Sequence, residues 1–394
     1  MITTQYTRER RSTVEQKPDA AAIDTHGARH GRERNFANGE ARVIDRDVER
    51  ARELVLRHGW NATAYQILNP GIALWYPAAG DGVIGFVRRS GVRVVAGAPV
   101  CAPERLQGIV AEFATEARLA GERVCYFGAG ARLAETLQRA GPCGTVGLGA
   151  QPSWDPRRWS AIIARRASLR AQLRRARNKG VAVTRWSAER AQSSPELERL
   201  LREWLRELGL PPLHFLIESD TISLTRDRRI FVATRAERSV AYLVASPVPS
   251  RRGWLIEQIV RGRSAPNGTS ELLVDAAMRA LADEGAEYVT LGLAPLSRQS
   301  RWADPGVPAW LRLVLRWVRA HGRRFYDFDG LDRFKTKFAP EEWEEIVAID
   351  DRPRFSMRAL WAITAAFGGG SPVALLGRTM TRAIAQEMRW LAGR

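Results

Sequence analysis

From Asp45 onward the chain runs twice through the same order of elements, and that repetition restricts the possible folds more than any other feature of the sequence. In the first pass, DRDVERARELVLRHG carries a helical apolar period and is closed by Gly59. Short β-rich runs follow at Ile72–Tyr76, Gly82–Arg88 and Val92–Ala96, separated by Gly and Asp turns. Pro103–Leu119 then reads as a helix, Arg123–Phe127 as a strand and Ala131–Ala140 as a helix. The second pass places a helix at Ser194–Leu208 and strands at Arg229–Thr234, Val240–Pro247 and Gly253–Val260. It closes with a helix at Thr269–Glu284 and a strand at Tyr288–Leu293. A helix, a strand meander and then β and α in alternation make a layered α/β unit, so the predicted class is α/β, with two such units in tandem and mixed central sheets flanked by helices. The 394 residues suffice for two cores of ordinary size. The expected divisions are a disordered leader over 1–42, a first domain over 43–155, a second over 156–350 that carries the reaction centre, and an amphipathic helical tail over 351–394.

Charge points to the partners. There are 61 Lys+Arg against 43 Asp+Glu, a formal net charge of +18, which attracts polyanions such as nucleic acid or anionic lipid headgroups. Arg-rich, Ala-rich usage from a GC-biased genome would give part of the same excess. Three cysteines without CxxC spacing, Cys101, Cys125 and Cys143, read as thiols in a reducing compartment. The five histidines form no HExxH and no Cys/His cluster, so a metalloenzyme is not expected. The N-terminus has no apolar core of signal-peptide length, and no apolar run is long enough to span a bilayer; the expected location is the cytosol.

The most basic stretch lies between the two passes. Arg165–Lys179 holds seven basic residues and no acid. On a helix Ile162, Leu169, Leu173 and Ala176 share one stripe, while Arg166, Arg170, Arg174 and Arg177 share another. The expectation is an anchored helix presenting an unneutralised cationic ridge to phosphates, with a solvated surface helix as the alternative.

The run YDFDGLDRFKTKFAPEEWE, Tyr326–Glu344, resembles the closing signature of the C-terminal domain of the phosphatidylglycerol lysyltransferase family, Y-x-F-x-G-L-x-x-F-K-x-K-F-x-P-x-W-E, with one extra residue between Pro340 and Trp343. Three further segments are similar in the same order: Gly97–Val100 (GAPV), Leu169–Gly180 (LRAQLRRARNKG) and Ala265–Leu273 (APNGTSELL). The resemblance covers about residues 45–350. It implies two tandem GNAT-like acyltransferase domains, with a lipid and the aminoacyl end of a tRNA approaching the site from opposite sides. It also implies no cofactor beyond aminoacyl-tRNA as co-substrate. The best-known members carry a transmembrane flippase region ahead of this domain, which here would be a separate membrane protein. Where the family usually has an Asp three residues ahead of an Arg, this chain has Gln258, beside Glu257, with Arg261 retained.

Transfer from an activated ester needs positioning more than a catalytic triad. The candidates at the reaction centre are Arg261, Lys335, Lys337 and Glu257. Asn267, Gly268 and Thr269 form a turn into a helix N-terminus, which favours an anion or a developing oxyanion, although a well-capped helix without a ligand would look the same. Lys335 and Lys337 alternate with Phe334 and Phe338, and a strand would put both cations on one face. Glu257 is a candidate grip for an α-ammonium or a base. Substrate contacts are further expected from Gln258, Tyr326, Arg170, Arg174, Arg177 and Lys179. Trp310, Leu311, Val314, Trp317 and Val318 share a helical stripe opposite arginines, the pattern of an interfacial helix on an anionic membrane surface, with Trp310 and Trp317 as lipid contacts. Pro372–Arg394 repeats the pattern more weakly. The expected activity is aminoacyl transfer from tRNA to a lipid headgroup such as phosphatidylglycerol, peripheral at the inner face of the cell membrane. An acyl-CoA-dependent N-acyltransferase and a non-catalytic tandem domain that binds RNA or anionic membrane are the competing readings.

Overall fold

A computed structural model describes residues 46–207, 215–300, 307–321 and 327–368. The expectations for the leader, for Tyr326 and for the helix over 372–394 lie outside these residues.

The first pass is α1 (residues 46–58), β1 (Ala73–Trp75), β2 (Gly82–Arg89), β3 (Val92–Ala96), β4 (Val100–Cys101), α2 (Leu106–Leu119), β5 (Arg123–Ala129), α3 (Ala131–Ala140) and β6 (Gly144–Trp154). Two helices, α4 (Trp159–Ala164) and α5 (Ala167–Asn178), lead into the second pass. This comprises β7 (Val181–Trp186), α6 (Ala188–Gln192), α7 (Pro195–Glu207), β8 (Arg229–Arg235), β9 (Arg238–Val248), β10 (Gly253–Arg261), α8 (Thr269–Asp283), β11 (Tyr288–Thr290) and β12 (Ala294–Pro295). The chain continues through α9 (Ala309–His321), α10 (Phe328–Thr336), β13 (Glu342–Asp350) and α11 (Met357–Phe367).

The two α/β halves are present, and their sheets are fused into one. The order is β1-β2-β3-β5-β13-β6-β11-β10-β9-β8-β7, with β4 on β2 and β12 on β6. Each half contributes a parallel pair, β3 with β5 and β10 with β11, and is completed by the last strand of the other half. Thus β13 lies antiparallel to β5, β6 lies antiparallel to β11, and β6 and β13 pair with each other over Glu342–Asp350. Helices cover both faces. The first half packs α2 and α3 on one side and α1, α9 and α11 on the other. The second packs α4, α5 and α8 on one side and α6 and α7 on the other.

The sequence reading missed β6 and β13. The first reads GTVGLGAQPSW, with glycines and a proline that signal a loop, yet it runs eleven residues through the middle of the sheet. Its Gly149 has φ +157° and a Cβ there would meet the Ala294 carbonyl at 2.1 Å, so β12 approaches too closely for any side chain. Ile346, Val347, Ala348 and Ile349 of β13 are buried on both faces, and each large apolar side chain so buried contributes about 1.5–3 kcal/mol. Cys101 and Cys125 are buried thiols and Cys143 is partly buried.

A chain ending at Pro340 removes β13 and leaves β5 and β6 with an unpaired edge. It should lose the cooperative thermal transition seen by circular dichroism, and trypsin should digest residues 46–207 as fast as the rest. Survival of that segment as a resistant fragment would show the exchange to be dispensable.

Candidate functional site

Both parallel pairs end in a fork. In the first half β3 and β5 run together to Ala96 and Phe127, and Gly97 N–H still donates to the Phe127 carbonyl at 2.8 Å before the chains part. That fork is filled. Asn61 Nδ2 donates to the Gly128 carbonyl at 3.0 Å, and Phe127, Phe215 and Phe367 pack with centroids 4.9–6.5 Å apart. The GAPV turn therefore closes a core.

In the second half β10 and β11 pair only over Gly253–Leu255 and Tyr288–Thr290. Beyond that point β10 bulges at Glu257 and runs on to Arg261, while β11 ends and turns at Gly292, φ +69°. Next to the end of β10 lies a cleft of about 340 Å³ lined by Gln172, Arg175, Arg261, Asn267, Gly268, Ser270, Glu271 and Phe334. Its floor is the start of α8. Gly268 has φ +96°, and a Cβ there would lie 2.4 Å from the Gln172 carbonyl, so glycine alone lets α5 dock on the helix N-terminus. Thr269 is wholly buried and its hydroxyl donates to the Pro266 carbonyl, a structural role. Its own N–H also goes to Pro266, which leaves the amides of Ser270 and Glu271 to open the helix. Arg261 donates to the Ala265 carbonyl and to Asn267 Oδ1, holding the loop that precedes the helix.

The FKTKF run is a helix end, which corrects the strand expected there. Asp327 caps α10 by accepting from Gly330 N–H, and Leu331, Phe334 and Phe338 have helical spacing, so local capping and burial outweigh the period-two alternation. The two lysines consequently part. Lys337, just past the helix, pairs with Glu271 and lies over the Phe334 ring at 4.7 Å, so it borders the cleft through two of its lining residues. Lys335 is buried behind it and donates to the carbonyls of Gly292 (2.7 Å) and Leu293 (2.8 Å), pinning the strand that leaves the fork. Burial pulls its pKa down to about 7, against a weak upward pull from Asp332.

The other candidates scatter. Glu257 is locked in a buried pair with Arg228, which also covers the Tyr65 ring. Gln258 accepts from the Thr221 hydroxyl at 2.5 Å and donates to the Ser219 carbonyl at 2.9 Å, so its amide is committed at both ends to the segment before β8. The basic helix α5 buries Leu169, Leu173 and Ala176 as expected, but its ridge is partly neutralised, contrary to the expectation. Arg177 pairs with Asp275 at 2.9 Å, a buried carboxylate that also accepts from Trp159 and Arg279. Arg170 caps the carbonyls of Ile163 and Ala164 at the end of α4. Arg174 and Lys179 point to solvent. Trp310 is half-buried against the first-half core, whereas Trp317 is 60% exposed. Sequence reasoning passed over Arg175 and Glu271. Arg175 was hidden in a uniform basic run; an acid at the third position of α8 was the available signal for Glu271.

A second hollow of about 540 Å³, at the start of β10 and β11, differs in charge. Its cations are paired, Arg158 with Glu341, Arg251 with Glu344 and Arg252 with Glu287, so it offers an anion little.

Two stability tests follow from this geometry. Gly268→Ala should destabilise by more than about 1 kcal/mol in chemical denaturation, because the site demands both a left-handed backbone and no side chain. For Lys335 the folded pKa of about 7 lies below the free value of 10.5. The unfolded chain then binds the extra proton between those values, so this group's contribution to stability rises with pH across that window and is least favourable below it. Comparing wild type with Lys335→Met from pH 6 to 9, the difference should shift in favour of wild type as pH rises; a flat difference would remove the titration.

No curated protein matches the chain. Among solved structures, a chain assigned as the C-terminal domain of a lysylphosphatidylglycerol synthetase from Agrobacterium fabrum is similar at 22% identity and TM-score 0.70, covering 83% of this chain and 98% of that one. L-PGS from Bacillus licheniformis is similar at 21% identity and TM-score 0.66, covering 85% and 96%. FemX is more distant, at 10% identity and TM-score 0.51, covering 77% and 95%. At these identities the likeness establishes the fold. The family described as phosphatidylglycerol lysyltransferase, C-terminal, matches residues 41–349, and the chain belongs to that family.

Proposed function

We propose that this chain is a transferase that moves an aminoacyl group from charged tRNA onto the headgroup of a membrane lipid such as phosphatidylglycerol. The observation that carries the reading is the cleft at the start of α8. There Arg175, Arg261 and free helix amides converge, and the one lining acid, Glu271, is already neutralised by Lys337. Family membership and the names of the two similar structures above support the same chemistry.

In this reading a lipid hydroxyl attacks the ester carbonyl that joins the amino acid to the tRNA terminus. The C–O bond to the lipid forms, the C–O bond to the terminal ribose breaks, and the proton released by the lipid hydroxyl goes to the departing ribose oxygen. Arg261 and the α8 amides stabilise the negative charge that builds on the carbonyl oxygen. Lys335 is a positioning residue: it fixes Gly292 and Leu293 at the mouth of the fork. The tRNA phosphates lie along the exposed arginines of α5 and a basic surface continuous with Arg261. That surface includes Arg263, Arg199 and Arg206 in one hollow and Arg235 and Arg238 in the next. Acyl-CoA is a poorer fit, because Pro266 brings no N–H to the loop and the Thr269 amide is already bonded.

The purified chain, incubated with charged tRNAs and phosphatidylglycerol vesicles, should yield labelled aminoacyl-lipid. Arg261→Ala should lower kcat by about 100-fold. Absence of aminoacyl-lipid with every charged tRNA, under conditions where the protein is folded, would end the proposal.

A further inference from the structure

We infer that α9 and α11 together form one docking surface for an anionic bilayer, a deeper form of the lipid-directed reading above and dependent on it. Trp60 and Leu119 aside, every large apolar side chain exposed among the described residues sits on a segment seated on a single buried cluster of the first half: Ile217, Leu313, Val314, Trp317, Met357 and Trp361. On α9, Leu311 and Leu315 turn inward, while Leu313, Val314 and Trp317 form a stripe facing outward. On α11, Ala359, Ala362, Ile363 and Ala366 are buried against β2 and β3, and Met357 and Trp361, one turn apart, face outward at 63% and 45% exposure. The sequence reading assigned α9 a membrane role but gave α11 none.

Charge selects the occupant. Neither helix contains an acidic residue, and Arg316, Arg352, Arg354 and Arg358 are exposed beside the apolar stripes. Exposed apolar side chains flanked by exposed arginines match the boundary between acyl chains and anionic headgroups, where apolar burial and charge attraction add. No described helix is long and apolar enough to cross a membrane, so this contact lies in the plane of the interface. The surface is built on the first half and the cationic cleft on the second.

Flotation of the full chain with phosphatidylcholine vesicles, with and without one third phosphatidylglycerol, tests this. Wild type should bind the anionic vesicles and bind neutral ones much more weakly. Met357→Glu/Trp361→Glu and, separately, Leu313→Glu/Val314→Glu should each cut partitioning about tenfold or more while the melting temperature is kept. Arg316→Gln/Arg354→Gln, which leaves the apolar stripes intact, should weaken binding to the anionic vesicles alone. Wild-type binding by either Glu pair, equal binding to neutral and anionic vesicles, or a concentration-dependent dimer that the Glu pairs abolish in place of vesicle binding would each overturn the inference. The assay contains no charged tRNA, so its failure bears on docking, and absent transfer with intact docking bears on the activity.

Discussion

The pairing of β6 with β13 is the constraint on which the remaining structure depends. Each half of the chain forms a parallel pair that cannot finish its own sheet, and each is completed by the strand that the other half makes last. The exchange links Gly144–Trp154 with Glu342–Asp350 across nearly two hundred residues of chain and buries most of β6 and the Ile346–Asp350 end of β13. It also joins the two halves directly. Arg123 from β5 holds Asp350 at 2.7 Å, and Asp350 in turn accepts from Ser356 N–H, so the end of β13 and the start of α11 are set by the first half. At the other end Trp154 donates to the Phe338 carbonyl at 3.0 Å, which ties the end of β6 to the helix end that carries Lys335 and Lys337.

That arrangement makes the two forks unequal although they arise from the same strand pattern. The first is occupied by an aromatic trio and an asparagine, and helices α9 and α11 cover the face beside it. The second is held open by the bulge at Glu257 and by the short β11, and its rim is built from polar contacts. Lys335 spends two of its N–H groups on backbone carbonyls without a carboxylate in contact, an arrangement that desolvation makes costly. The chain thus spends its unfavourable burial at the second fork, and keeps the first as ordinary core.

Much of the architecture was legible because helix and strand periods are local. The runs at Val92–Ala96 and Ala131–Ala140 coincide with β3 and α3, and the meander in the second half is displaced by only one or two residues at its ends. Failures came where a distant contact decides. β6 is a strand because β13 and β11 flank it, not because GTVGLGAQPSW prefers to be one. The FKTKF run has a true period-two pattern, and only the Asp327 cap and the burial of Phe338 against Trp159 turn it into a helix end. The site was partly legible. Arg261, Asn267 and Gly268 line one cleft, whereas Glu257 and Gln258, their near neighbours in sequence, turn to other partners because a bulge reorients that stretch of strand.

Arginine content by itself said little about where an anion binds, and the pairing of individual arginines says more. Arg177 has a buried carboxylate, Arg170 a helix end, Arg228 a buried glutamate, and Arg251 both an acid and an aromatic face. These hold the fold together and have little charge left to offer a ligand. Arg174 and Arg175 are different, since both are exposed to solvent on α5. Desolvating a cation costs free energy that an incoming phosphate recovers, so cations left solvated in the free protein are the ones able to reward a polyanion. Exposed arginines gather along α5 and beside the apolar stripes of α9 and α11. A protein that must meet two anionic partners without confusing them can separate those partners by what accompanies the charge. Helix amides and a narrow cleft suit a terminal phosphate or an oxyanion, whereas exposed tryptophan, leucine and methionine suit a membrane surface.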